Sequence, residues 1–343
     1  MAPSRKEVAA HRRQTSAQRR EANRAHGELR GHPRVRARPV RPGDRVKVTI
    51  RCHERRFFMT PYGKPRKGMT LEQRAEELRN FIGYTFARAQ LLYGFGFHGG
   101  VAMGNHPHYD TTDRDGNRPR YKNSIHSSIA RAFNAKLGRF DSFFESGGSC
   151  DTISDSDEET LLDLAYTDIN PVAAGLVKWG WLWPGFTTYG WPFGKPRTFR
   201  RPDWFFDPEN PDNPETIELY RVRPDGLYPE LSDEQLTAKL MELCNKLERE
   251  IQARTKRFMG LAKLAKTKWR DAPKTAEERF KVEPKFASSD KWRRIAAIER
   301  TKEWNAHYAR SRADHARGKN PIFPYGTYLL RVRYNVRVAP RPP

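Results

Sequence analysis

The sequence predicts an α+β protein, because segments with a two-residue apolar period are interleaved with segments whose apolar residues return every three to four positions. Val46-Lys47-Val48-Thr49-Ile50-Arg51-Cys52 alternates apolar and polar side chains and reads as a first strand. Phe97, Val101 and Met103 give a second. The helix patterns open at Thr70 with Thr-x-x-Gln and at Ser232 with Ser-x-x-Gln, the spacing of a capping box.

Residues 1–45 hold 13 basic and 4 acidic residues with almost no apolar periodicity, which predicts a disordered or partly helical arm. Its Arg34, Arg36, Arg38 and Arg41 would lie well along a phosphate backbone, and a merely solvated tail fits the composition equally. From Thr70 a helix runs through Leu71, Ala75, Leu78, Ile82, Phe86 and Leu91, and its apolar stripe should pack on the sheet. Gly94-Phe95-Gly96-Phe97-His98-Gly99 has the letters of a dinucleotide-binding loop, but it follows a helix and enters a strand, the reverse of that fold. Its glycines read as a bulge or tight bend. After a basic loop at 114–122, Ile125, Ile129, Phe133 and Leu137 form a second helix ending near Gly138. Ser154-Asp155-Ser156-Asp157-Glu158-Glu159 supplies caps and negative charge for a third. That helix continues through Leu161, Leu164 and Ala165, carries Tyr166 in its last turns, and is closed by Pro171.

Residues 179–193, rich in Trp, Gly and Pro, read as packing for an irregular segment, with base stacking by one or two rings as the alternative. Residues 197–228, dense in proline, asparagine and aspartate, read as a linker. The helix from Ser232 runs through Leu236, Leu240, Leu243, Leu247 and Ile251 into a basic continuation that includes Lys256 and Arg257. Another helix carries Trp292, Ile295, Ile298 and Trp304. Two basic helices with apolar seams could grip a duplex or present plain solvated faces. The end, from Phe323 to Val332 in numbers 323–332, reads as a turn followed by a strand.

Lys plus Arg total 64 against 41 Asp plus Glu, a net charge of +23, far more than solubility requires and suited to a polyanionic partner. No apolar run approaches the roughly eighteen residues of a spanning helix, and the N-terminus lacks a signal-peptide pattern. The expectation is therefore a cytoplasmic protein without a membrane partner. Its three isolated cysteines suit a reducing compartment.

The chemistry centres on His106 and His108. On an extended segment, residues at i and i+2 point to one face, so both imidazoles can bind one ion and leave positions open for a substrate oxygen. With ten histidines in 343 residues the pair alone is weak evidence, and surface or core histidines are the bland reading. Tyr166 and Asn170 stand one helical turn apart on the same side. If their helix crosses the histidine strand, a divalent ion can polarise a phosphodiester oxygen and the phenol can attack phosphorus. A phenol of pKa about 10 is a weak nucleophile at neutral pH, so the ion or a cationic neighbour must assist it. Otherwise Tyr166 is a half-buried aromatic, Asn170 a helix-ending cap, and Arg51 either touches a phosphate or faces solvent.

The succession Thr49-Ile50-Arg51, Met103-Gly104-Asn105-His106-Pro107-His108, Phe133-Asn134-Ala135-Lys136-Leu137-Gly138-Arg139 and Tyr166-Thr167-Asp168-Ile169-Asn170-Pro171-Val172-Ala173-Ala174-Gly175-Leu176-Val177 resembles the REP-associated tyrosine transposases, part of the single-tyrosine HUH transposase superfamily. The resemblance covers about residues 45–190, and segments near Asp290 and Phe323 resemble an extension of longer bacterial members. It implies a ferredoxin-like antiparallel sheet with helices packed on one face, and a helical basic C-terminal unit. The domains would be an arm at 1–45, a catalytic domain at 46–195, a linker at 196–230 and a helical region at 231–343. His106, His108 and Asn170 would hold Mg²⁺ or Mn²⁺, and Tyr166 would cleave single-stranded or hairpin DNA to leave a 5′-phosphotyrosine and a free 3′-hydroxyl. Arg51, Arg36, Arg38, Lys256 and Arg257 would contact DNA, in a nucleoid-associated monomer or homodimer. Two departures stand out. Pro107 replaces a bulky hydrophobic residue, which predicts a distorted strand because proline cannot donate to a ladder, and Tyr109-Asp110 replaces an apolar continuation. Asp110 shares the histidines' face by period two, as an extra ligand or a contact to water. These departures leave open a DNA-binding descendant without catalysis, and an RNA nuclease that forms no covalent link is a third reading.

Overall fold

The computed structural model describes residues 39–341 except 65–66, 147–148, 155, 274–285 and 288–290. The arm with Arg36 and Arg38 thus lies outside the described residues. In chain order come β1 (Arg45–Thr49), α1 (Leu71–Tyr93), β2 (Gly96–Ala102), β3 (Pro107–Thr112), α2 (Arg118–Leu137) and β4 (Cys150–Ser154). Their sheet order is β2-β3-β1-β4, with every neighbouring pair antiparallel. This is the ferredoxin-like βαββαβ arrangement, so the expected α+β class holds. Local signals start the first helix and stop the second where the sequence places them. Thr70 and Gln73 form the capping box of α1, and Gly138, at φ +68, closes α2 in a left-handed conformation that costs glycine little. Pro171, expected to close the helix of Tyr166, instead lies in the first turn of a short helix that follows it, where proline is tolerated.

The two faces of the sheet have different tasks. Val46, Val48 and Tyr109 point into one core with Phe81 and Phe86 of α1 and Ile125 and Ile129 of α2, each such side chain contributing about 1.5–3 kcal/mol on burial. Lys47, Thr49, His108 and Asp110 alternate to the opposite face, where the register pairs Lys47 with Asp110 and Thr49 with His108. Over that face lies α3 (Asp157–Asp168), N-capped by Ser156, followed by the short α4 (Asn170–Ala173). A bulge between Phe97 and Gly99 bends β2 beneath α3. A Cβ at Gly99 would lie in ordinary van der Waals contact with Leu164 of that helix, at 3.4 Å, and with the Asp110 carboxylate, at 3.6 Å.

The segment expected as a linker is folded. β5 (Pro196–Arg200) and β6 (Thr216–Tyr220) form an antiparallel ribbon, and Ile217 and Leu219 join the same core as α1. Composition misled here because the exposed side of a two-stranded ribbon is polar and its proline-rich connection resembles spacer sequence. The Phe199 ring lies on Gly83, where an added Cβ would fall 2.0 Å from a ring carbon. Gly83→Ala should therefore lower the thermal unfolding midpoint: the clash, about 1–3 kcal/mol, outweighs the roughly 1 kcal/mol that alanine otherwise contributes to a helix. An unchanged or raised midpoint would mean that the ribbon does not dock on α1.

The expected boundary at 231 also fails. In α5 (Asp233–Arg254), opened by the Ser232–Gln235 capping box, the seam Leu236, Leu240 and Cys244 packs on Leu161, Leu164, Ala165 and Ile169. That apolar seam buttresses the helix of Tyr166 and is not available to a duplex. The described residues divide instead into compact units at 40–299 and at 300–341. The first also holds α6 (Leu261–Lys266) and β7 (Phe286–Ala287), which pairs parallel to β4. α7 (Lys291–Ala316) runs into the second. There Trp304 stacks on Tyr308 at 5.2 Å and donates its indole N–H to the Tyr325 carbonyl at 2.6 Å. The strand expected after Phe323 is a helix, α8 (Leu329–Tyr334). Its backbone bonds locally, Val332 N–H to Tyr328 O, because only Phe323 finds a bridge partner, Val338. Among the described residues no helix is long and apolar enough to cross a membrane.

Candidate active site

The β2–β3 hairpin presents the two histidines. Met103 N–H bonds to the His106 carbonyl at 3.0 Å and closes the turn, so His106 precedes β3 and His108 is its second residue. Both rings nevertheless project together, with centroids 4.5 Å apart and planes at 83°. Pro107 does not distort the strand. It is the first residue of β3 and lies beyond the last β1 partner, Thr49, which pairs with His108, a position where the missing N–H leaves no ladder bond to that neighbour unmade.

Each imidazole is anchored through Nδ1. His106 Nδ1–H donates to the Asn105 side-chain oxygen at 2.6 Å, and Asn105 is itself oriented by donating to the Arg55 carbonyl at 3.2 Å. His108 Nδ1 meets the Thr49 hydroxyl at 2.7 Å, a bond either group can donate. With the proton on Nδ1, Nε2 keeps its lone pair for another partner. Burial lowers the His106 pKa to about 4, assisted by Arg51 and Arg55. Burial likewise takes His108 well below the usual value, with His106, Lys47 and Arg51 adding to it. Both rings are neutral at neutral pH, the form that binds metal.

Tyr166 reaches the same face from α3. Its side chain is 46% exposed, and Lys47 Nζ stands 5.7 Å from the ring centroid. Asp163, one turn earlier, holds that ammonium through its carbonyl at 3.2 Å and its carboxylate at 3.5 Å. Asp110, in contrast, is buried beneath α3, and burial pushes its carboxyl up to about 7 against the opposing pull of Lys47. It lines a small cleft with Lys47, Asp163 and Leu164.

The end of α3 is fixed by a buried ion pair. Arg221 bonds Asp168 at 3.1 Å and donates to the carbonyls of His98, Thr188 and Trp191, while Thr188 Oγ1 donates to Asp168 at 2.6 Å. Asn170 follows as the first residue of α4, and its carbonyl accepts from Ala174 N–H. Arg51 and Arg55, on the chain after β1, act electrostatically on His106. Lys256 and Arg257 are exposed after α5. Thr49, Lys47, Asn105 and Asp163 were not singled out in the sequence. Lys47 and Thr49 could have been found from the alternation of β1, but only the register places them opposite Asp110 and His108.

The paired donors suit a divalent ion: two neutral imidazoles, each held by its far nitrogen, are a usual half-set of ligands. Among the described residues no group of three His, Cys, Asp or Glu side chains could hold a metal, so the further ligands would be an amide oxygen, substrate or water.

Fold and site together define a βαββαβ protein with a histidine pair on the sheet face that α3 covers and an exposed tyrosine on α3 itself. No family model and no curated protein matches the chain. Among solved structures it is similar to that of a REP-associated tyrosine transposase bound to a REP hairpin, at 18% identity and a TM-score of 0.32, over 46% of this chain and 83% of the other.

Proposed function

We propose that the protein cleaves and rejoins single-stranded DNA through Tyr166, as the sequence motifs imply. The observation that supports this is the approach of Tyr166, from α3, to the same Lys47 whose strand pairs with His108. His106, His108 and Asn170 would hold a divalent ion, Mg²⁺ or Mn²⁺, which when bound polarises a phosphate oxygen. Asn105 and Thr49 fix the two rings, while Arg51 and Lys47 supply positive charge for the phosphate. The Tyr166 oxygen attacks phosphorus, and the bond from phosphorus to the 3′-oxygen breaks. The phenol proton passes to solvent, and the departing oxygen takes up a proton to become a 3′-hydroxyl. The phosphotyrosine conserves the bond energy, so a second 3′-hydroxyl can reverse the step.

Incubation with end-labelled hairpin DNA and Mn²⁺, followed by a denaturing gel, should show a covalent adduct that disappears in Tyr166→Phe. Binding without any adduct would support a DNA-binding protein lacking catalysis. RNA cleavage that survives Tyr166→Phe would instead support a nuclease without a covalent step.

A further inference from the structure

Phe140 is 96% exposed, although Phe133 and Phe143 beside it are buried in the main core. A loose loop does not explain this. Arg139 N–H bonds to the Asn134 carbonyl at 2.8 Å, and the Asn134 amide donates to the Asp141 carbonyl at 2.9 Å. The Arg139 guanidinium lies 3.9 Å from the centroid of the Phe58 ring and donates to Ser142 O at 3.3 Å. The residues on both sides of Phe140 are therefore pinned, and the ring is held outward.

The same loop borders the candidate active site through one intervening segment. His53 N–H donates to Phe143 O at 2.8 Å and Glu145 N–H to Arg51 O at 2.9 Å. On the other side of that segment, Cys52 N–H donates to Asn105 O at 2.7 Å, next to His106. The order across the surface is thus the Phe140 loop, the strip with Arg51 and Arg55, then the histidine turn. At the usual spacing of paired backbones the step from Phe143 to Asn105 is roughly 10 Å, and a single strand a few nucleotides long covers that step and the three residues back to Phe140.

We propose that Phe140 is a stacking platform for an unpaired base of single-stranded DNA whose phosphates follow Arg51 and Arg55 toward His106. Charge complementarity selects this occupant: the loop of Phe140 is bonded through Phe143 and Glu145 to the segment that carries Arg51 and Arg55, in a chain of net charge +23. An aromatic face accepts any base, and cations carry the backbone. The inference rests on the DNA-cleaving reading, but it is testable without cleavage.

The test uses the full chain in EDTA, with fluorescently labelled oligo-dT, a duplex of equal length, and oligo-U RNA. Anisotropy titrations should show that Phe140→Ala weakens oligo-dT binding roughly tenfold. Phe140→Trp should retain it, and the salt slope should not change because phosphate contacts remain. A 2-aminopurine base in the strand should be quenched by the native chain and much less by Phe140→Leu. Unchanged oligo-dT affinity in Phe140→Ala overturns the proposal. So does equal weakening of duplex, selectivity for oligo-U, or an absence of single-strand binding. A missing adduct with the Phe140 effect intact sinks only the cleavage reading. An intact adduct with unchanged binding in Phe140→Ala sinks only the stacking.

Discussion

Arg221→Met is expected to lower stability by about 3–5 kcal/mol, as breaking a buried ion pair on one side does. Asp168 and Arg221 are both essentially inaccessible to solvent. Removal of the guanidinium leaves a carboxylate in the interior, bonded among the described residues to Thr188, and it takes a donor from the carbonyls of His98, Thr188 and Trp191, of which that of Thr188 keeps the Trp191 N–H. Urea unfolding measures the loss. The double variant Asp168→Leu with Arg221→Met should cost much less than the sum of the two single changes, because an apolar pair replaces the ionic one. Asp168 lies two residues after Tyr166, so adduct formation should also fall in Arg221→Met although no group touching DNA has gone. An unfolding midpoint equal to the native one would show that this pair does not anchor α3.

The second large effect is on chemistry. If His108 holds the ion as proposed, His108→Ala should reduce the rate of adduct formation more than about 100-fold, and added Mn²⁺ should not restore it, because the proposed direct ligand would be missing. Asn105→Ala should cost about 10- to 100-fold, the usual effect of removing a group that orients a metal-binding histidine. Excess Mn²⁺ should recover much of that loss, since His106 keeps its ring and loses only its tether. Metal titrations of the adduct rate separate the two patterns. Equal rates for Asn105→Ala and the native chain at limiting metal would mean that the 2.6 Å bond to His106 does not set its orientation.

Much of this architecture was legible locally. The capping boxes at Thr70 and Ser232 and the glycine at 138 mark helix ends through bonds between residues three or four apart. The alternation of β1 is likewise visible without a partner. β4 was not, because only Ser154 among its five residues is buried, so it shows no alternating stripe. The ribbon of β5 and β6 was hidden by its polar outer side, and Arg221 reads as one more surface cation in a very basic chain. The consequences of Pro107 could not be judged either: whether proline harms a strand depends on where the neighbouring strand ends, and β1 ends at Thr49.

The sequence by itself determined the α+β alternation and the capped helix ends at Thr70, Gly138 and Ser232, since each follows from a backbone period or from bonds between near neighbours. Only the tertiary structure decided which face α3 covers, that α5 supports it, and that Lys47 lies beside Tyr166. Those placements join residues far apart in the chain, as far as 47 and 166, through register and apolar burial, which no local period encodes.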